Sequence, residues 1–293
     1  MSYQWIQLNK AITFRVTGKD SIRYLHNRLS NDIRGLPTGA GCLAAALSAQ
    51  GRVEGLFSVS CIAECEFILV CDGGELESIL SAVKRFVVAD RVIFEHYENT
   101  ALIHIAEPSD RVGAIVKEIG VTPGCIVQRS RISSAGCDLL INSEDLGIIA
   151  EKLGKPLTQQ SYDQLRWRFG TPVYPDEIND QGMILEYGLR EAVSFTKGCY
   201  VGQEVVERSD AIGKLPRKLE RIELKEAGLV DLGTSITSLS GEVLGKVIGV
   251  IPAVSDDNVY LFALLRGEKY KQGDEVLVAG RSGVICGEGK YYG

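Results

Sequence analysis

Apolar residues recur at helical spacing in two stretches of the N-terminal third of the chain. From Ile22 to Ile33 they fall every three or four positions after a plausible N-cap at Asp20, which predicts a helix over residues 20–33. A second apolar face of the same period predicts a helix over residues 75–88.

Between these helices, runs of β-branched and aromatic residues are separated by short turns. The pattern predicts strands over 42–48, 53–61 and 66–71, with turns at Gln50-Gly51 and Ala63-Glu64. Three consecutive strands with such short connections predict an antiparallel meander.

Farther along, strand-like and helix-like segments alternate. RVIFEHY, ALIHIA and CDLLINS predict strands, whereas SDRVGAIVKEIG and EDLGIIAEKLG predict helices. Because helices interleave with hairpins, we expect an α+β fold rather than a doubly wound parallel sheet. After Gly213 the helical period disappears, and short strand-like runs predict a small C-terminal barrel or sandwich beyond the linker GKLPRKLER.

Composition and charge narrow the class of protein. A chain of 293 residues, 45% hydrophobic and 24% charged, predicts a globular protein of two or three domains. MSYQWIQLNK lacks the features of a signal peptide, and the apolar runs are too short to span a bilayer, so we expect a cytoplasmic protein without a membrane partner. The net charge of −6 argues against general nucleic-acid binding.

The cysteines and histidines give little support for a resident metal. Eight cysteines without a signal peptide predict reduced thiols. Cys61 and Cys65 have no nearby histidine, and a zinc site needs four close ligands, so we interpret them as core cysteines near a hairpin turn. His96 and His104 lie in strand-like apolar runs and are interpreted as structural. We predict no stably bound metal.

Candidate chemistry concentrates in SFTKGCYVGQE, residues 194–204. A helix that began at Cys199 would place its thiol at the positive end of the helix dipole, and the Lys197 ammonium would add to this effect, so both would favour the thiolate. A free cysteine is, however, more often simply buried. Upstream, SYDQLRWRFGTPVYPDEINDQGMILEYG indicates a helix followed by a long loop, in which Glu186 could be a solvated acid.

These residues resemble the YgfZ branch of the GcvT-like folate-binding superfamily. The resemblance rests on KGCYVGQE, supported by GKDSIRYLHNRLSND, LRWRFGTPV and ILEYGL, and covers nearly the whole chain. It implies three domains around a central hole. Residues 1–45 together with 155–213 would form the folate-binding domain, 46–154 an inserted α+β domain, and 214–293 a C-terminal β-barrel.

The resemblance also implies a function and site residues. The function would be tetrahydrofolate binding in support of the assembly or repair of iron–sulfur clusters in client enzymes, including some that modify tRNA. Glu186 matches the pterin-binding acid, since a carboxylate can accept adjacent N–H donors as a fork, and Tyr162 matches an aromatic residue near the folate. Cys199 is the characteristic thiol, with Lys197 as its catalytic neighbour. Expected partners are folate and iron–sulfur client or assembly proteins, and we expect a monomer.

Two other functions fit the same resemblance. One is a tetrahydrofolate-dependent aminomethyltransferase of the glycine-cleavage type, although those enzymes resemble GG-I-x-D-D-L where this chain has Gly55 and Leu56, and they carry an acid where it has Cys199. Glu54 is the nearest carboxylate, and we do not expect it to substitute because strand residues alternate between faces. The other is a non-catalytic folate-sensing adaptor.

Overall fold

The computed structural model describes residues 3–225, 228–252, 258–267 and 269–288. Two antiparallel sheets, a closed barrel and six α-helices lie within these ranges. The helices are α1 (Ser21–Arg28), α2 (Leu76–Lys84), α3 (Ser109–Ile119), α4 (Leu146–Leu153), α5 (Gln159–Phe169) and α6 (Gln203–Ile212). Among the residues described, no helix combines the length and apolarity needed to cross a bilayer.

The first sheet contains the predicted meander. Its strands are β2 (Ile12–Thr17), β3 (Gly41–Leu47), β4 (Val53–Ala63), β5 (Glu66–Cys71) and β6 (Ile93–His96). They lie in the order β3-β4-β5-β2-β6, and every neighbouring pair is antiparallel. The predicted boundary between residues 45 and 46 falls inside β3, so this sheet combines residues from both sides of it.

Helix α1 is shorter than the periodicity predicts. It ends at Arg28, because Leu29 adopts an extended backbone and pairs with Ala46 of β3 in an isolated bridge. The apolar side chains of Leu29 and Ile33 still enter the core under the first sheet, although both residues lie beyond the helix. The pairing of Leu29 with β3 therefore takes the place of the last turn of the predicted helix.

The second sheet is smaller and includes two short strands that the sequence did not indicate. Its strands are β1 (Trp5–Gln7), β7 (Thr100–Ile105), β8 (Cys125–Gln128) and β9 (Cys137–Asn142), in the order β1-β7-β9-β8. Helices α3 and α4 pack on its apolar face.

A buried ionic network joins the two sheets. Arg129 and Arg131, which follow β8, both donate to Asp72 at the end of β5. Arg131 also donates to Asp138 of β9, whose carboxylate lies 3.0 Å from Nδ1 of His104. Burial lowers the pKa of His104. The structural role expected for this histidine is consistent with these contacts.

The C-terminal residues form the predicted barrel. Its strands are β10 (Arg217–Leu224), β11 (Ser235–Ser238), β12 (Val243–Pro252), β13 (Val259–Arg266), β14 (Glu275–Val278) and β15 (Arg281–Glu288). They close in the order β10-β13-β12-β11-β14-β15. Helix α5 packs against β12 and β13, and Nε1 of Trp167 donates to the carbonyl of Leu261 at 2.8 Å.

Candidate functional site

The KGCYVGQE segment is fixed to the chain that follows α1. The Lys197 ammonium donates to the backbone carbonyls of His26, Leu29 (2.5 Å) and Asn31 (2.8 Å). Three donors thus meet three acceptors that the early end of α1 leaves without helical partners. Burial lowers the pKa of Lys197 to about 8, so the side chain is still mostly protonated at neutral pH.

The second half of the segment packs closely on the β3–β4 hairpin. Gly202 has a φ of +86°, and a Cβ at this position would lie 2.5 Å from the carbonyl oxygen of Ser48. Both the backbone conformation and the close approach require glycine. Helix α6 begins at the next residue, Gln203.

Cys199 lies on the surface between these two fixed points. It is the one exposed cysteine of the eight in the chain, all of which the structure describes. The structure does not place Cys199 at the start of a helix, the position on which the predicted effect of the helix dipole depends. Cys199 precedes Gln203 by four residues and lies outside the first turn of α6, and the three donors of Lys197 point to backbone carbonyls. This geometry favours an anchoring role for Lys197 over the catalytic role that the resemblance implies.

A cavity of about 360 Å³ is lined in part by Leu43 and Glu191. The side-chain amide of Asn31 donates to the backbone carbonyls of both Leu43 and Glu191 at 2.8 Å. The backbone carbonyl of Asn31 accepts from Lys197. We call this the Glu191 cavity. The residues that line it are Gly39, Gly41, Cys42, Leu43, Ser58, Ser109, Ile126, Val127, Arg129 and Glu191.

Glu191 is the acid of this cavity. Its Oε1 atom is buried and has no hydrogen-bond partner in the part of the chain that the structure describes. Burial raises the pKa of Glu191 to about 7, and the Arg129 guanidinium acts in the opposite direction. The thiol of Cys42, in the same cavity, has its pKa raised to about 12 by burial, with the Lys197 charge opposing the shift. The cavity therefore contains a carboxyl group with one oxygen that has no partner among the described residues, and a neutral thiol.

The acid expected to bind a pterin already has partners. Glu186 is 2% exposed, and Arg217 of β10 donates to both of its carboxylate oxygens, at 2.9 and 2.6 Å. The backbone N–H of Met183 donates to Oε2 at 2.9 Å, which caps the 3-10 turn Ile184–Tyr187. A ligand would have to displace these groups, so the geometry assigns Glu186 to the contact between this turn and the barrel.

Tyr162 lies on α5, 2% exposed, at a different cavity of about 370 Å³. Its hydroxyl has no hydrogen-bond partner among the described residues. This cavity is also lined by Asp72, Arg131 and Tyr174, and its lining includes neither Glu186 nor Glu191. The structure therefore separates the two residues that the resemblance assigns to one folate site.

The β4 strand lacks the acid pair of the transferases. Leu56 is 2% exposed and packs in the core shared by the first sheet, α5 and the barrel. The Glu54 carboxylate accepts from Arg28 at 2.9 Å and from Arg85. Both oxygens of Glu54 are therefore engaged by arginines.

Sequence reasoning missed Glu191, Cys42 and Arg129 as a group. They lie in three separate segments, and the sequence signal was weak in each: a lone acid beside an apolar run, a strand cysteine and a basic residue in a loop. Among the residues described, no group of three or more His, Cys, Asp or Glu side chains is placed to hold a metal ion.

Two proteins of other organisms are similar to this chain in sequence. No family model matches the chain. An uncharacterized protein of Haemophilus influenzae is 24% identical over 243 residues, which cover 80% of this chain and 78% of that protein. An Arabidopsis thaliana protein named "Putative transferase, chloroplastic" is also 24% identical, over 255 residues that cover 80% of this chain and 58% of the relative.

Among solved structures, the glycine cleavage system aminomethyltransferase T of Bartonella henselae superposes with a TM-score of 0.80 at 16% identity. The match covers 100% of this chain and 88% of the transferase. The chain therefore has the fold of aminomethyltransferase T, with a closed six-stranded barrel at its C-terminal end.

Proposed function

We propose that this chain is a tetrahydrofolate-binding protein of the YgfZ type that supports assembly or repair of iron–sulfur clusters in client enzymes, including tRNA-modifying ones. The observation that carries the proposal is the arrangement of KGCYVGQE. Lys197 fixes one end of the segment to the chain after α1, Gly202 fixes the other to the β3–β4 hairpin, and Cys199 is exposed between them.

An exposed thiol on a fixed segment suits chemistry with a partner molecule. A side chain buried in the core could reach neither a cluster on a client nor a partner thiol, whereas Cys199 can reach both. Lys197 is a positioning residue in this proposal: its hydrogen bonds hold the backbone from which Cys199 projects. In this proposal the cluster is cargo of the client proteins.

Folate binding is supported by the fold of a glycine cleavage system aminomethyltransferase and by two cavities of suitable size. Tetrahydrofolate would supply a one-carbon carrier when bound. Of the residues that the resemblance assigns to it, Tyr162 has a cavity and a free hydroxyl, whereas Glu186 is engaged by Arg217.

The fold likeness also favours a second candidate, a tetrahydrofolate-dependent aminomethyltransferase. Leu56 and the arginine-paired Glu54 leave β4 without a free carboxylate at the corresponding positions. An assay of methylene-tetrahydrofolate formation from an aminomethylated carrier protein separates the two functions. Robust turnover would favour the transferase, and none is expected.

The main test is complementation in cells that lack the endogenous counterpart. The readout is the activity of an iron–sulfur enzyme, measured through the level of the modified tRNA nucleoside that it makes. Cys199→Ala should lose most of the rescue, whereas Cys65→Ala, which removes a half-buried thiol in the β4–β5 turn, should retain it.

Full rescue by Cys199→Ala would contradict the thiol role. If variants that lose folate binding then fail to rescue, the protein would be the folate-sensing adaptor. Rescue by every variant, including those without folate binding, would overturn the proposed function as a whole.

A further inference from the structure

The outer face of the C-terminal barrel carries three cations at one place. Arg217 of β10 is the register partner of Arg266 of β13, and Lys246 of β12 is the partner of Leu264, two residues before Arg266 in the same strand. Residues paired across antiparallel strands, and residues two apart along one strand, share a face. Leu264 packs in the core between the barrel and the rest of the chain, so all three cations lie on the outer face.

These cations line a pocket of about 200 Å³, which we call the barrel pocket. Gln181 and Val243 also line it, and its lining includes no aspartate or glutamate among the residues that the structure describes. The whole chain carries a net charge of −6, so a pocket with three cations and no acid differs from the average of the molecule. The local field favours an anion.

One of the three cations is already neutralised and held in place. Arg217 donates through Nε and Nη2 to the two carboxylate oxygens of Glu186, at 2.9 and 2.6 Å, and Nη2 also donates to the carbonyl of Gln181 at 2.9 Å. These contacts leave Nη1 of Arg217 without an acceptor among the described residues. The guanidinium is therefore fixed at the wall of the pocket and still has N–H donors for a ligand.

The other two cations have no such partner. Neither Arg266 nor Lys246 forms an ion pair with a carboxylate in the described ranges. Like charges directly opposite each other on antiparallel strands repel, so the Arg217–Arg266 pair costs stability in the unliganded chain. The barrel pocket thus has an excess of positive charge from two side chains, which a dianion would balance.

The chemistry of the walls narrows the kind of anion. Guanidinium groups present paired N–H donors that fit the oxygens of phosphate or carboxylate. A phosphate monoester carries about −1.5 to −2 at neutral pH, whereas a carboxylate carries a single charge. Val243, which is 42% exposed, and the half-buried Ile248 add apolar surface to the pocket. Phosphate linked to a compact organic group therefore fits this pocket better than a carboxylate.

We propose that the barrel pocket binds a phosphate group, held by Arg266, Lys246 and the free nitrogen of Arg217. Two sources have this chemistry: inorganic phosphate and the phosphate monoester of a small organic molecule. The apolar walls favour the ester. The inference is independent of the proposed function, because no residue of this pocket belongs to the KGCYVGQE segment or lines the Glu191 cavity or the cavity at Tyr162.

The test is calorimetric titration of the intact chain, at low salt, with four probes: phenyl phosphate, inorganic phosphate, benzoate and a single-stranded oligonucleotide of mixed sequence. Arg266→Gln and Lys246→Gln each remove one unpaired charge and break no ion pair, so both should fold. We expect each to weaken binding of phenyl phosphate at least tenfold, about 1.4 kcal/mol. The control Lys225→Gln, at an exposed position just beyond the opposite end of β10, should bind as the unmodified chain does.

A stability measurement separates a binding defect from a folding defect. Because Arg266 lies opposite Arg217, Arg266→Gln should leave the thermal midpoint of the unliganded chain unchanged or raise it. Saturating phenyl phosphate should raise the midpoint of the unmodified chain and raise that of the variant less, since a ligand of the folded state stabilises it by mass action. A lower midpoint of the unliganded variant would contradict the repulsion on which the inference rests.

The probes distinguish the sources of the phosphate. Tighter binding of phenyl phosphate than of inorganic phosphate assigns the site to an ester, and the reverse assigns it to the free anion. Benzoate that binds as tightly as phenyl phosphate, or binding that neither variant weakens, would overturn the phosphate site. Binding of the oligonucleotide alone would also overturn it and would identify this face as a contact for a nucleic-acid backbone. Absence of binding by all four probes overturns the proposal and leaves the proposed function unaffected.

Discussion

The ammonium of Lys197 lies 2.8 Å from the carbonyl oxygen of Asn31, a residue 166 positions earlier in the chain. The contact is possible because α1 ends at Arg28 and leaves the carbonyls that follow it free of helical hydrogen bonds. A helix that continued to residue 33, as the periodicity predicts, would engage the carbonyls of His26 and Leu29, the other two acceptors of Lys197, in helical hydrogen bonds. The position of the thiol segment therefore depends on the early end of α1.

Replacement of Lys197 by Met should destabilise the protein and loosen the segment that carries Cys199. Three buried carbonyls would lose a charged donor, and we expect the free energy of unfolding to fall by about 2–3 kcal/mol. Denaturant titration measures the change. Lys19→Met, at an exposed position, should stay within about 0.5 kcal/mol. Equal stability of the two variants would contradict the anchoring role.

Cys199 should be the fast-reacting thiol of the folded protein. Three other cysteines are buried and four are half-buried, and burial raises the pKa of Cys125 to about 11 and that of Cys71 to about 12. Titration with a chromogenic disulfide should show one rapid thiol per chain under native conditions and eight in denaturant. The rapid phase should vanish in Cys199→Ala. Its persistence would show that another cysteine is the accessible one.

The stability of the protein should depend on pH through Glu191. Its pKa is raised from 4.5 to about 7 in the folded state, so the folded chain binds more protons than the unfolded chain between these values. The contribution of Glu191 to stability is therefore full below about pH 4.5 and is lost as the pH rises through 7, by roughly 3 kcal/mol. The other ionisable groups that line its cavity are Arg129 and Cys42, and burial raises the pKa of Cys42 to about 12, outside this window.

Glu191→Gln isolates this effect from the other carboxylates. The difference in unfolding free energy between the unmodified chain and the variant should change with pH between about 4.5 and 7 and be constant above about 8. Denaturant titrations across this range measure it. A difference that does not vary with pH would mean that Glu191 is solvated in the folded protein.

Glu186→Gln tests whether Glu186 binds the pterin, as the resemblance implies. Its carboxylate accepts from Arg217 and from the Met183 backbone, so the substitution should cost about 2–3 kcal/mol of stability. The affinity for 5-formyltetrahydrofolate, extrapolated to conditions where the variant is folded, should change little. Glu144→Gln, at an exposed position, is the matched control. A variant of unchanged stability that loses folate binding would restore Glu186 as the pterin acid.

The large elements follow from local sequence patterns. Apolar periodicity and turn residues predicted the meander β3–β5, helices α2 to α4 and the strands of the barrel, because amphipathic segments bury one face wherever they pack. Strand β1 has three residues, too few to establish a period, and β8 has four. The alternating run ITFRVT of β2 carried a signal that our interpretation did not use.

Local sequence patterns predicted the candidate site less well than the fold. The motif singled out Cys199 and Lys197, and the structure shows one of them exposed and the other anchored. The resemblance also assigned Glu186 and Tyr162 to one ligand, whereas the structure gives Glu186 a partner in the barrel and places Tyr162 at a different cavity. The sequence shows the same glutamate whether or not an arginine from a distant segment pairs with its carboxylate.

The sequence by itself determined most of the longer helices and strands, the β-barrel of the C-terminal part, and which segment carries the thiol. These depend on residues that are near one another along the chain. Only the tertiary structure decided where α1 ends, what Lys197 binds and which acid has an unpaired oxygen at a cavity. Each of these depends on hydrogen bonds and desolvation between groups up to 171 positions apart, and no local pattern encodes those contacts.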